Sequence, residues 1–164
     1  MLALVILAGA ALLAAALDPP MPPVSGQARA SDGDSFRLGD TRIRLLGLDA
    51  PELAQQCEAA DGRSWSCGRT ARDRMAVLLS SGPVDCQPDG TDQFDRVLAT
   101  CTVRGRDLGA TMVAEGLAIS SGSYWTEEAA ARQAKLGIWA GGFDTPRNWR
   151  DDHARPQRWF WGLL

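Results

Sequence analysis

Histidine, tyrosine and lysine each occur once in this chain, as His153, Tyr124 and Lys135. His153 sits in a polar stretch near the C-terminus and reads as a surface residue, which argues against histidine-centred hydrolysis and a Ser-His-Asp triad. There is no GxxxxGK(S/T) loop, and the four cysteines lack CxxC spacing, so a phosphate-cradling loop, a zinc knuckle and a redox pair are not organising motifs. An excess of positive charge is missing too. The net charge of −3 and pI near 5.1 argue against attachment to nucleic acid through bulk charge, though not against local recognition. Sixteen of the 17 basic residues are arginine, the side chain suited to bidentate phosphate contacts. A GC-rich genome gives the same bias, so composition alone decides nothing.

What is present begins with 17 residues that carry no charge, MLALVILAGAALLAAAL. They read as the apolar region of a secretory signal, broken by DPPMPP. The run lacks a leading basic residue and approaches the roughly 18 residues that a spanning helix needs, so a cleaved signal peptide and a retained anchor both stay open. A buried core helix would normally show a polar face, which this run lacks. Either way the chain is expected to be exported: periplasmic, secreted, or tethered to a membrane with its domain outside the cytoplasm.

The cysteines agree with export. An even count of four favours two disulfides, although three connectivities exist. Cys86 and Cys101 lie in two short β-like segments joined by PDGTDQFD, and a bridge across that hairpin leaves Cys57–Cys67 to close a loop. Four reduced buried thiols would suit a cytosolic protein better.

Residues 18–27 read as a Pro-rich linker, 28–150 as one domain, and 151–164 as a tail that starts polar and ends aromatic. From Ala28 the pattern is β: Phe36 and Leu38 alternate with polar residues, Gly39-Asp40 turns, and Ile43 and Leu45 resume the alternation. Ala71, Met75, Leu78 and Leu79 predict a helix from Cys67 to Leu79, ended by Gly82-Pro83. Val84–Val103 reads as a second hairpin. Further helices are expected over 106–117 and 126–139, the latter opened by Thr126 as N-cap and closed at Gly137. Strands followed by a helix, more strands and more helices do not make the βαβ repeat of a doubly wound sheet.

Four segments carry chemistry: DGDS at 32–35, Arg44, DAPE at 49–52, and DQFDR at 92–96. Each has an ordinary structural reading. Asp-Gly is a common turn, Asp49 and Pro51 suit a helix start, and Arg44 and Arg96 suit exposed strand positions. Taken in order, DGD(S/T), then RLLxxDxPE, then Dx(Y/F)xRxLA, then a late G(I/L)W, the set resembles the thermonuclease family of staphylococcal nuclease and its relatives. The likeness runs from about Ala28 to Trp149, and the cysteines with GIWAGGFDTPRNW resemble its exported, disulfide-containing bacterial branch.

The resemblance implies an α+β, mainly β architecture: an OB-type five-stranded barrel with about three helices. It implies a Ca²⁺-dependent endonuclease acting on DNA or RNA, single-stranded or frayed, as a monomer, and leaving 3′-phosphate ends. Arg44 and Arg96 resemble the family's phosphate-clamping arginines, and Glu52 its general base. Asp34, Asp49 and the Ala50 backbone carbonyl resemble its ligands for one Ca²⁺, a set that would also accept other hard divalent cations. Phosphodiester hydrolysis rests mainly on positioning and charge neutralisation, which these residue types supply.

The chain departs from the family in places. Ser35 and Ala50 stand where threonine is common. Phe94 replaces a tyrosine whose hydroxyl contacts a terminal phosphate, and AISSGSYW at 118–125 is shorter than the usual base-packing segment, keeping only Tyr124 with Trp125 beside it. A platform of that kind contributes about 1–3 kcal/mol per base, so weaker substrate binding with an intact catalytic set is expected. The alternative is a non-catalytic OB-fold nucleic-acid-binding module of the cell envelope.

Overall fold

Period-two burial builds the sheet. In the computed structural model, which describes residues 21–153, strand β8 (Val84–Thr91) points Val84 and Cys86 inward and Asp85 and Gln87 outward. Strand β9 (Val97–Val103) buries Ala99, Cys101 and Val103, and β4 (Thr41–Leu45) buries Ile43 and Leu45. The shorter strands are β1 (Val24–Gly26), β2 (Ala28–Ala30), β3 (Ser35–Leu38), β5 (Leu48–Asp49), β6 (Cys57–Glu58), β7 (Ser64–Trp65), β10 (Arg106–Asp107) and β11 (Ile119–Ser120). Seven strands join in one sheet ordered β1-β8-β9-β4-β3-β2, with β10 on β9; β5 pairs with β11 and β6 with β7. The β4–β9 pairing is parallel, which sets Arg44 beside Leu98. The expected α+β class with an OB-like curled sheet is present. The hydrogen-bonded path runs open from β1 to β2.

Helix α1 (Cys67–Ser80) matches its predicted span and buries Ala71, Met75, Leu78 and Leu79 against the sheet's concave side. Phe36, Ile43, Leu108 and Met112 fill the same core. Asp107 caps α2 (Leu108–Ala114) by accepting from the Ala110 N–H at 2.9 Å. Three expectations need correction. Helix α3 spans Trp125–Gln133, not 126–139. Thr126 is not its cap: Tyr124 holds that position in the left-handed region (φ 66°), because Ser120 Oγ fixes the Ser123 carbonyl one residue earlier. The helix stops before Gly137 because Lys135 turns to φ 52°, and Gly137–Ala140 form a separate 3₁₀ turn. Strand β1 sets Val24 opposite Cys86, and a fourth described helix, α4, spans Pro146–His153.

The apolar segment 1–17 and the residues after His153 lie outside the described part. Among the described residues no helix is long and apolar enough to cross a membrane. Both expected disulfides form, Cys57–Cys67 and Cys86–Cys101, with Cα atoms 5.6 and 4.1 Å apart. Cys86–Cys101 closes a 15-residue separation, for which loop entropy alone predicts about 3 kcal/mol. Replacing both cysteines by serine is therefore expected to lower the urea midpoint by that equivalent under oxidising conditions. An unchanged midpoint would show that the open hairpin is already as constrained as the bridged one.

Candidate active site

Three of the four segments and the last described helix meet in one cleft of about 860 Å³, lined by Arg42, Arg44, Glu52, Asp92, Gln93, Phe94, Arg96 and Arg150. Strand β4 alternates its side chains, so the inward Ile43 and Leu45 leave Arg44 on the cleft side, four-fifths buried. Its guanidinium forks: Nη1 lies 3.0 Å from Asp34 Oδ2, and Nη2 donates to Asp49 Oδ1 at 2.8 Å. Asp34 comes from the β2–β3 loop and also accepts from the Ala50 N–H at 3.3 Å. Asp49 ends β5, and the Ala50-Pro51-Glu52 turn follows.

That turn is braced from three sides. The buried Gln55 accepts from the Glu52 N–H at 3.1 Å, while its own N–H donates to the Glu52 carbonyl at 2.7 Å. The Gln55 amide also donates to the Asp144 carbonyl at 2.6 Å, tying the turn to the chain that enters α4. On the third side α1 begins so close that a Cβ on Gly68 would lie 1.7 Å from the Glu52 carbonyl oxygen. Only glycine fits there. The Cys57–Cys67 bridge holds that helix end against the segment after Gln55.

Arg96 enters from the β8–β9 connection. It donates through Nε to Asp92 Oδ2 at 2.8 Å, and its guanidinium lies 5.5 Å from the centre of the Phe94 ring. Burial pushes the Asp92 carboxyl up, but hydrogen bonds from Arg96 and from the Phe94 N–H outweigh it and hold the group below its ordinary range. Phe94 is exposed at the cleft mouth, and Arg42 donates to its carbonyl.

Asp32, Asp34, Asp49 and Glu52 crowd around Arg44 and Arg150. Burial is the main cause that pushes Asp32 up to about 6, with Asp34 and Glu52 adding to it and Arg44 opposing. Burial also raises Asp34, against the pull of Arg44. Four carboxylates facing two guanidiniums leave a formal charge of −2. An uncompensated pair of negative charges with hard oxygen donors suits a divalent cation. Among the described residues no three Asp, Glu, His or Cys side chains are placed to hold an ion by themselves. Asp34 and Asp49 would need the Ala50 carbonyl and water to complete the set.

A raised carboxyl has a measurable consequence. Between the unfolded value of 3.8 and the folded value of about 6, the folded state binds the Asp32 proton more firmly, so stability falls as pH rises through that window and stays lowered above it. Asp32→Asn keeps the acceptor for the Gly33 N–H and removes the penalty. The melting temperature of the cation-free variant is expected to exceed the parent's at about pH 7.5 and to equal it at about pH 3. A gain of equal size at both pH values would sink this account.

The structure brings Arg44, Glu52, Arg96, Asp34, Asp49, Ala50 and Phe94 together. Tyr124 is the exception: it does not line the cleft. Its ring packs over Gly109 against the core, and its hydroxyl reaches Asp107 at 3.3 Å. Burial, with Asp107 adding to it, pushes that hydroxyl up to about 12. The partly buried residue is engaged with α2 and does not face the cleft. Sequence reasoning missed Arg150, Gln55, Arg42 and the crowding of Asp32. Arg150 donates to both oxygens of Asp49, at 3.0 and 2.9 Å, and to Glu52 at 2.7 Å, and the Asp49 and Glu52 hydrogen bonds hold it well above its ordinary range. The available signal was Pro146, which starts a helix that places Arg150 one turn on.

The family model of the staphylococcal nuclease homologue matches residues 42–141. The chain is 31% identical over 124 residues to the succinoglycan biosynthesis protein ExoI of Rhizobium meliloti (strain 1021), covering 71% of this chain and 65% of that protein. It is 30% identical over 148 residues to "Probable endonuclease LCL3" of Colletotrichum graminicola, covering 73% of this chain and 51% of that one. A third relative is "Probable staphylococcal-like nuclease CAN4" of Oryza sativa subsp. japonica, 28% identical over 71% of this chain and 23% of its own length. The chain thus spans less than two thirds of each of these relatives. With the match covering β4 through the 3₁₀ turn, the chain belongs to the staphylococcal nuclease homologue family.

Proposed function

We propose that the protein is a divalent-cation-dependent endonuclease that hydrolyses phosphodiester bonds of DNA or RNA. The observation that carries this reading is Arg44, forked between Asp34 and Asp49 in the cleft that also holds Glu52 and Arg96. Family membership and the printed names of the LCL3 and CAN4 relatives support it.

Arg44 and Arg96 would bind non-bridging phosphoryl oxygens, each with a planar fork matched to two of them. Asp34, Asp49 and the Ala50 carbonyl would hold the ion, Ca²⁺ by preference, which supplies Lewis-acid polarisation of the phosphate when bound. Glu52 would take the proton of a water as its oxygen attacks phosphorus in line with the 5′ oxygen, which departs and leaves a 3′-phosphate end. Phe94, with Arg96 over its ring, offers an apolar surface for a base or sugar at the entrance. Two disulfides suit an oxidising compartment, so we place the protein outside the cytoplasm. A monomer suffices, because every group named comes from one copy.

The test is cleavage of heat-denatured DNA and of RNA by the oxidised protein, in Ca²⁺ and in EDTA, with product ends mapped by their response to a phosphatase. Ca²⁺-dependent cutting with 3′-phosphates is expected. Binding without cutting in either condition would favour the OB-fold binding module instead.

A further inference from the structure

We infer that Arg150 is a positioning residue that serves as the resident cation of the site, holding the Asp49 and Glu52 carboxylates until a divalent ion displaces it. This rests on the cation site proposed above. It concerns a residue outside the stretch 42–141 that the family model covers.

The lone pairs make the case. A carboxylate oxygen has two acceptor sites. Asp49 Oδ1 accepts from Arg44 at 2.8 Å and from Arg150 at 3.0 Å, so it is full. Asp49 Oδ2 accepts from Arg150 at 2.9 Å and has one site left. Glu52 Oε1 accepts from the same guanidinium at 2.7 Å. An ion approaching Asp49 therefore competes with Arg150 for the same oxygens and is repelled by its charge. Arg44 pairs with Asp49 too, but it sits on a central strand with its side chain 20% exposed and is shared with the buried Asp34. The Arg150 side chain is 39% exposed and stands on the last described helix.

Among the described residues, α4 is attached upstream of Arg150. Pro146 is buried and the Asp144 carbonyl is held by Gln55, so the guanidinium can swing out while the helix stays attached. Without the ion, Arg150 holds Glu52 and Asp49 in place through its three hydrogen bonds. With it, the guanidinium is released from both carboxylates, in a cleft that also presents Arg42 and Arg96.

The test is calorimetric titration of the full oxidised chain with Ca²⁺ in the absence of nucleic acid, for the parent, Arg150→Gln and Arg150→Lys. Arg150→Gln is expected to bind Ca²⁺ about tenfold tighter or more, and Arg150→Lys to stay near the parent because it keeps the charge. The melting temperature of Arg150→Gln should fall in EDTA and recover at saturating Ca²⁺. Equal or weaker binding by Arg150→Gln, beside a parent that binds, would overturn the inference and leave the cation site standing. Absence of Ca²⁺ binding in the parent and both variants would instead remove the cation site itself. Should Arg150→Gln not fold, NMR of the parent decides. Slowed rotation of the Arg150 guanidinium is expected in EDTA and should be lost in Ca²⁺; rotation that stays slow in both overturns the proposal.

Discussion

Arg44→Ala is expected to cut the cleavage rate by about 10³-fold or more, the scale on which an arginine that stabilises a phosphoryl-transfer transition state acts. The same change should cost the fold about 3 kcal/mol, because it strands the buried Asp34 carboxylate with no cation beside it. That figure is at the low end for a broken buried pair, since Arg44 is itself one-fifth exposed. The two effects separate with Arg44→Lys. A lysine restores a charge near Asp34 but cannot fork between Asp34 and Asp49, so most of the stability should return while most of the rate loss persists. Initial rates on denatured DNA, set beside urea midpoints, check both statements. A rate for Arg44→Ala within tenfold of the parent would remove Arg44 from the chemistry and leave it a purely structural role.

Glu52→Gln is expected to lower kcat by about 10²–10⁴-fold, the range for loss of a positioned general base. KM should hardly move. Gln55 would still accept from the residue 52 N–H, and the amide oxygen could still accept from Arg150, so the turn keeps its shape and loses only its proton acceptor. A fall confined to kcat identifies an interaction made in the transition state alone. If KM rises while kcat holds, Glu52 would be a binding residue and the base must be sought elsewhere in the cleft.

Much of this site could be read from the sequence because its parts are local motifs. Arg44 to Glu52 is one short stretch, and its strand-then-turn pattern survives in the structure as β4, β5 and the braced turn. Helix α1 was legible for a similar reason: Ala71, Met75, Leu78 and Leu79 recur at helical spacing within one short stretch, although the face they form is buried by distant residues. What escaped was set by partners far away in the chain. Arg150 meets its carboxylates across separations of 98 and 101 residues, and no spacing rule reports that. Strand β1 was hidden by the prolines before it, yet an edge strand with partners on one side tolerates such neighbours. The α3 start was misplaced because a hydroxyl at Thr126 is a good cap in isolation, whereas the tertiary contacts of Ser120 and Tyr124 fix the turn earlier. Tyr124 shows the converse: a residue assigned to a base by motif position is engaged by the core.

The Cys86–Cys101 bridge does more than shorten a loop. Its two residues are direct register partners on β8 and β9, and side chains alternate along a strand, so a slip of one residue would turn every inward group of β9 outward. The covalent bond forbids that slip. Strand β9 lies between β8 and β4, and Arg96 immediately precedes the Val97 that pairs with Ile43. The disulfide therefore acts as an alignment pin for the two arginines: while it is closed, Arg96 can reach the cleft only at one fixed step along the strand that carries Arg44.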